Sequence, residues 1–198
     1  MTKQFKSFLE STDIVDWRHD SIVRLAGQLA DQSANTFETA KRCFEWVRDE
    51  IKHSSDHQLN PVTCSASEVL IHGTGYCYAK SHLLAALLRA NEIPAGFCYQ
   101  RLSIDGTGPP FCLHGLNAVH LPEFGWYRVD ARGNRNDLHA EFRPPDERLA
   151  FSTQITGEKM FGEILNAPLQ AVIGCLRRHD TWNAVFSDLP DEESDSLT

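Results

Sequence analysis

Apolar residues recur at steps of three and four through the first ninety residues of the chain, the spacing that buries one face of an α-helix. This pattern predicts one helix over residues 12–31 and a second, with the clearest amphipathic character, over residues 35–51. Two capping-box pairs, each an N-cap residue followed three positions later by glutamate, mark the start of the second helix and of a short third one: Asn35 with Glu38, and Ser65 with Glu68.

A further helical pattern starts at a cysteine, in the stretch "GTGYCYAKSHLLAALLRA" of residues 73–90. The first turn of a helix carries backbone N–H groups without partners, and the helix dipole favours negative charge there. A thiolate at Cys77 would therefore be stabilised. Free cysteines are most often inert core residues, but the glycines before Cys77 and the helix that begins at it indicate a reactive thiol.

The periodicity changes after Pro94, where residues favouring β-structure begin to dominate. The segments "AGFCYQRLSI", "LHGLNAVHL" and "GWYRVDA" are predicted to be strands, and the tight turn "PEFG" makes the last two hairpin neighbours. One more helix is expected near residues 167–178. Helices followed by an antiparallel sheet define an α+β fold class.

Composition adds limits on size and partners. A chain of 198 residues with 41% hydrophobic content can bury one good core, so residues 1–188 are expected to form a single domain. The polar, acidic end at residues 189–198 is expected to be disordered. The formal net charge of −8 argues against nucleic acid or an anionic membrane as the main partner, because both bind clustered basic residues.

The sequence also bears on location. The amino terminus lacks the apolar stretch of a signal peptide, and no segment approaches the ~20 apolar residues that cross a bilayer, so a cytoplasmic protein is expected. In a reducing compartment the six cysteines are expected to be thiols: Cys43, Cys64, Cys77, Cys98, Cys112 and Cys175.

A nucleophilic cysteine requires a base, and the base requires a third group that orients it. His114 opens one predicted strand and Asp130 closes the next, so a hairpin would bring the two side chains together. His120 lies on the same face of its strand and is the alternative base. It adjoins the turn, however, whereas His114 stands at the end to which Asp130 returns.

These segments resemble the core of the transglutaminase-like superfamily. "GYCYAKSHLLAALLRANEIPAGF" is similar to its nucleophile helix, and "HGLNAVHLPEFGWYRVDARGN" to its histidine and aspartate strands; the core motifs lie within residues 36–132. The resemblance implies a papain-like fold in which Cys77 attacks an amide-type carbonyl, His114 is base and then acid, and Asp130 orients His114. It implies thioester-based acyl transfer or hydrolysis on a peptide, protein or small amide, without a cofactor.

The chain departs from the family pattern at three positions. Gly115 stands where alanine is common and Leu116 where an aromatic is frequent, so a more open wall beside the imidazole is expected. His53 stands about where family members often have tyrosine. The backbone N–H of Cys77 is the natural first oxyanion donor, and the second donor is left unassigned.

Two other classes of function compete with an enzyme. Some domains of this fold are non-catalytic scaffolds or binding modules, which an intact set of three residues argues against. A metal-binding protein would use the cluster of borderline ligands in the middle of the chain: His72, Cys77, His82, Cys112 and His114. That cluster lacks zinc-finger spacing, and Cys77 and His82 point apart on one helix, so no metal site is expected.

Overall fold

A computed structural model of the chain describes residues 3–135 and 137–197. After a 3₁₀ helix at Lys3–Leu9, the helices are α1 (Asp20–Asp31), α2 (Thr36–Glu50), α3 (Ser54–His57), α4 (Ala66–His72), α5 (Cys77–Ala90), α6 (Gln170–Arg178) and α7 (Trp182–Phe186). In the described part of the chain, every helix is too short or too polar to span a membrane.

A four-stranded sheet follows the first five helices, as the change of period predicts. Its strands are β3 (Ala95–Ser103), β4 (Phe111–Leu121), β5 (Gly125–Val129) and β6 (Lys159–Met160), in the order β5-β4-β3-β6 with antiparallel pairing throughout. Two short strands, β1 (Lys52–His53) and β2 (Thr74–Gly75), form a separate parallel pair. The predicted α+β class and the β4–β5 hairpin are confirmed.

Helix α5 is the centre of the fold. Residues Cys77 to Arg89 are all buried, because the sheet covers one side of the helix and α1, α2 and α4 cover the other. Its buried polar side chains bind backbone oxygens, as burial requires. The ring nitrogen Nδ1 of His82 lies 2.7 Å from the carbonyl of Cys64, and the Arg89 guanidinium donates to the carbonyls of Ala95 and Asn166.

Both predicted N-cap residues cap their helices, and one of the two predicted capping boxes is complete. Asn35 accepts a hydrogen bond from the N–H of Glu38, and Ser65 forms a complete capping box with Glu68. The prediction of a helix from residue 12 is wrong in its first part, because α1 begins only at Asp20.

The segment before α1 is held by a local turn instead of a helix. The hydroxyl of Thr12 accepts the backbone N–H of Val15 at 3.0 Å, and His19 then forms the N-cap of α1. Threonine often makes such side-chain turns in competition with helix formation.

The acidic end differs from the expected disorder at residues 189–198. The N–H of Leu113 donates to the carbonyl of Pro190 at 2.7 Å, and Arg101 binds both carboxylate oxygens of Asp191 at 2.7 and 2.6 Å. Leu197 is buried, and Thr198 lies outside the described residues. The acidic residues meet basic side chains of the sheet, a complementarity that composition does not reveal.

Candidate active site

Cys77 is the first residue of α5, and its neighbours explain the residues that precede it. Tyr76 is the N-cap, and Gly75 lies in β2, paired with His53 of β1. A Cβ atom at Gly75 would stand 3.1 Å from the Cβ of Ala79 and 3.2 Å from the hydroxyl of Thr63, so only glycine fits without displacement. The chain can thus turn sharply into the helix and place the thiol at its positive end.

His114 and Asp130 are brought together by the hairpin. The paired part of β4 and β5 ends where Asn117 faces Val129, and Asp130 is the next residue. His114 Nε2 lies 2.8 Å from Asp130 Oδ2, and both side chains are almost fully buried. This leaves Nδ1 as the ring nitrogen available to Cys77.

The Asp130 carboxylate is held in its charged form. It accepts the backbone N–H groups of Arg132 at 3.1 Å and Ala150 at 3.2 Å as well as the bond from His114. Burial raises the pKa of Asp130, but the charge and hydrogen bond of His114 and these two N–H bonds lower it more, so the pKa is below its usual value.

The charge of His114 follows from the same contacts. Burial lowers its pKa, but the negative charge of Asp130, the charge of Cys77 and hydrogen bonds to both residues raise it to about 10. An imidazole is cationic below its pKa, so His114 is an imidazolium at neutral pH. The structure therefore brings the three predicted residues together, with a cationic His114 bound to the Asp130 carboxylate at the cleft that Cys77 also lines.

His120 lies at the opposite end of β4, away from this group. Its ring is 4.3 Å from that of Phe5 and 5.5 Å from that of Trp126 between centroids, and its backbone N–H donates to Pro94. It contributes to an aromatic cluster on the surface of the sheet. The choice of His114 over His120 agrees with this placement.

Phe151 packs against the imidazole and Arg132 packs against Phe151, and the sequence did not identify either residue. The Phe151 ring lies edge-on to His114 at 4.9 Å between centroids, and the Arg132 guanidinium lies 5.5 Å from the Phe151 ring centre. Arg132 is only 8% exposed and binds both carboxylate oxygens of Asp56 at 2.7 and 2.8 Å. Arg132 occurs in the motif "DARGN", which is the sequence feature that could have identified it.

His53 lies beside the nucleophile because β1 pairs with β2. Its ring is 5.4 Å from that of Tyr76 and is almost fully buried. Burial, followed by the nearby charges of Arg132 and Lys80, lowers the pKa of His53 well below 6.5, so its imidazole is neutral. Within the described chain, Nδ1 of His53 has no hydrogen-bond partner.

The expected open wall at Gly115 is wrong. A Cβ atom at Gly115 would stand 3.0 Å from Cδ1 and 3.3 Å from Cα of Tyr78. Tyr78 also donates its hydroxyl hydrogen to the carbonyl of Leu113, so it is fastened against β4. Glycine allows helix α5 to lie closer to the strand, and the aromatic ring of Tyr78 fills the space.

Cys77, His53 and His114 line a cleft of about 490 Å³. The cleft is bounded by the β3–β4 loop on one side and by α7 and the following residues on another. Its volume falls within the range of pockets that bind small molecules or short peptide segments.

The other cysteines are in different environments. Burial raises the pKa of each thiol above its ordinary value, to about 12 or about 11: Cys43, Cys64, Cys98, Cys112 and Cys175. All six cysteines are free. These five thiols are protonated at neutral pH and are therefore poor nucleophiles.

The ligand cluster considered from sequence does not assemble around one point. Within residues 3–135 and 137–197, the single group with metal-site spacing is Cys175, His179 and Asp188, whose ligand atoms lie within 4.8 Å of one another. Its carboxylate is already engaged: Asp188 Oδ2 lies 2.8 Å from His179 Nε2 and 2.5 Å from the Arg178 guanidinium. A cation would have to displace that guanidinium.

Purified protein is accordingly expected to contain far less than one equivalent of zinc. The guanidinium of Arg178 repels a divalent cation, and burial keeps Cys175 protonated. Elemental analysis of protein prepared without a metal-affinity tag measures this directly. Stoichiometric zinc that is lost in Cys175→Ser would contradict the expectation and locate a site at α6, whereas loss in Cys77→Ala would locate it in the cleft.

A cysteine at a helix amino terminus, facing a histidine and an aspartate from adjacent strands, defines a papain-like arrangement. A family model described as the transglutaminase-like superfamily matches residues 23–131, more than half of the chain. The chain belongs to this superfamily.

One solved structure shows the same fold, and a second aligns more weakly. A protein from Cytophaga hutchinsonii that has been proposed to be a cysteine protease aligns with a TM-score of 0.53 and 20% identity, covering 67% of this chain and 43% of that one. The periplasmic domain of TgpA from Pseudomonas aeruginosa aligns with a TM-score of 0.46 and 20% identity, covering 63% and 45%. The chain thus spans less than half the length of either protein. No curated protein matches the sequence.

Proposed function

We propose that this protein is a cysteine-dependent enzyme that transfers or hydrolyses the acyl group of an amide. The observation that carries the proposal is the 2.8 Å contact of buried His114 with Asp130, at a cleft that both His114 and Cys77 line. A buried ion pair often adds little to stability, because hydrophobic residues of similar volume can stabilise the interior equally well. The burial of His114 and Asp130 together is therefore better explained by a catalytic role.

In the first half of the reaction, the Cys77 thiolate attacks the amide carbonyl carbon and forms a C–S bond. His114 donates its proton to the leaving nitrogen as the C–N bond breaks, which releases an amine and leaves a thioester. Asp130 keeps the imidazole oriented and its positive charge stabilised before this transfer.

In the second half, His114 is neutral and acts as a base. It takes a proton from water or from an acceptor amine, which attacks the thioester carbonyl. The C–S bond then breaks and Cys77 leaves as a thiolate, so the starting imidazolium and thiolate are restored. Water as acceptor gives hydrolysis, and an amine gives transfer.

The developing oxyanion needs two hydrogen-bond donors. The backbone N–H of Cys77, at the start of α5, is the first. His53 is suited to be the second, because it lines the same cleft and carries a neutral imidazole. A neutral imidazole can donate one hydrogen bond without holding a charge that would need compensation.

Selective alkylation tests the proposal without a known substrate. At pH 7 iodoacetamide is expected to modify Cys77 about tenfold or more faster than any other cysteine, because His114 stabilises the thiolate and burial keeps the others protonated. Peptide mapping by mass spectrometry over time gives the rate for each site.

Two variants make this measurement specific. Cys77→Ala should remove the fast phase, and Cys112→Ser, which changes another thiol of the same cleft, should leave it intact. Uniform slow labelling of all six thiols in the folded protein would contradict an activated nucleophile and favour a non-catalytic domain.

A further inference from the structure

Two of the large apolar side chains that remain exposed lie at the cleft. The described chain has five of them: Val23, Ile71, Ile104, Phe124 and Phe186. Ile104 and Phe186, which are 38% and 46% exposed, both line the cleft that contains Cys77. They come from separate segments, the β3–β4 loop and helix α7, so their meeting at one cleft is not a consequence of local sequence.

The wall that carries Ile104 is held in place by its own loop. The backbone N–H of Ile104 donates to the carbonyl of Pro110 at 3.0 Å, and that of Ser103 donates to Glu158 Oε1 at 2.9 Å. The Ser103 hydroxyl also accepts the backbone N–H groups of Gly106 and Gly108. Ile104 is therefore presented from an ordered turn.

The wall that carries Phe186 is fastened to the active-site elements themselves. Tyr76, the residue before the nucleophile, donates its hydroxyl hydrogen to the carbonyl of Trp182 at the start of α7. Beyond Leu189, which also lines the cleft, Pro190 accepts the N–H of Leu113 from β4. The position of Phe186 is thus fixed relative to Cys77.

The charged side chains around Arg132 have partners in the protein. Asp56 binds the guanidinium of Arg132 at 2.7 and 2.8 Å. Arg135 lies 3.2 Å from Asp56 and 2.8 Å from Asp137. These four residues form one network of ion pairs within the described chain.

The acidic groups on the other wall are also satisfied. Glu158 accepts three backbone N–H groups, and Asp105 accepts the N–H and the hydroxyl of Thr107. Selection by ligand charge therefore has little support, whereas apolar contact area at Ile104, Phe186, Phe151 and Leu189 is available. Burying such area on binding is favourable at roughly 25 cal/mol per Å².

We propose that the cleft binds an uncharged peptide segment with a bulky apolar side chain close to the reactive amide, held between Ile104 and Phe186. This inference deepens the proposed function and rests on it. The volume of about 490 Å³ has room for such a side chain together with the reacting amide.

The probes are iodoacetamide and its N-hexyl and N-benzyl derivatives, since all three alkylate the same sulfur atom. For each derivative, the rate of Cys77 alkylation is divided by the rate with iodoacetamide. This ratio is then divided by the same ratio measured with glutathione, which corrects for the intrinsic reactivity of the reagent. The normalised ratio is expected to be about ten, because the apolar group of the reagent gains contact with the walls that carry Ile104 and Phe186. Ile104→Ser and Phe186→Ser should each lower it about threefold, and the double variant should bring it close to unity.

Ile71→Ser is the matched control, because Ile71 is 63% exposed on α4 and does not line the cleft. It should leave the ratio unchanged. A ratio near unity in the unaltered protein, with Cys77 still fast toward plain iodoacetamide, would overturn the apolar preference and keep the proposed function. If Cys77 reacts with plain iodoacetamide no faster than glutathione does, the proposed function fails and the inference fails with it.

Discussion

Replacing His114 with alanine is expected to lower the rate of Cys77 alkylation at pH 7 by about a hundredfold. His114 has a pKa of about 10 and is therefore cationic through the neutral range, where it stabilises the thiolate. Alanine removes that charge, so a thiolate at position 77 loses its cationic neighbour. A hundredfold loss corresponds to about 2.7 kcal/mol of thiolate stabilisation lost with the imidazolium.

His120→Ala is the matched control for this variant. Both histidines lie on β4, but His120 packs against Phe5 and Trp126 at the far end of the strand. Its replacement should change the alkylation rate less than about twofold, even if thermal unfolding shows some loss of aromatic packing. A larger loss of alkylation rate in His120→Ala than in His114→Ala would mean that His120, and not His114, is the base.

The second large effect is expected for Asp130→Asn. Without the carboxylate, burial dominates and the pKa of His114 falls from about 10 to its ordinary value of about 6.5 or below. His114 is charged only below its pKa, so the variant loses the imidazolium as pH rises through that lower value. The ratio of wild-type to variant alkylation rates should be smallest near pH 5.5 and largest, about tenfold, near pH 7.

The same substitution affects stability in a predictable way. Asparagine at position 130 can still accept the N–H of Arg132, but its NH₂ group would replace the oxygen that accepts from Ala150 and His114. The cost is about 1–3 kcal/mol in unfolding free energy, which denaturant titration measures. Reactivity should be compared at a temperature where both proteins are folded.

Linkage gives the pH window of that stability difference. The depressed pKa of Asp130 stabilises the native state above the unfolded value of about 3.9, and this contribution is lost as pH falls through the native pKa. The raised pKa of His114 stabilises the native state below about pH 6.5, and this contribution is lost as pH rises toward 10.

An alkylation pH profile that is unchanged in Asp130→Asn would show that Asp130 is not part of the site.

Local patterns were sufficient for the elements that carry the three central residues. The capping boxes at Asn35 and Ser65, the helix start at Cys77 and the hairpin between His114 and Asp130 each depend on residues close in sequence. Register alone then places the aspartate beside the end of β4 that carries His114. Such short-range rules predict which elements form and how neighbours pair.

The rest of the site depends on contacts between distant segments. Phe151 reaches His114 from a region without regular structure, and Arg132 pairs with Asp56, which is 76 positions earlier in the sequence. His53 approaches Cys77 only through a two-residue parallel strand pair. None of these contacts leaves a periodic signal in sequence, because each is determined by the packing of the whole domain.

The contact between Leu113 and Pro190 has a consequence for the solubility of the protein. Strand β5 pairs only with Asn117–Leu121, so within the described chain the first half of β4 has no strand neighbour on that side. An uncovered strand edge is a template for association with another molecule. Pro190 accepts the N–H of Leu113 but carries no N–H of its own, so the terminal segment covers the edge without offering a donor at that position for further strand addition.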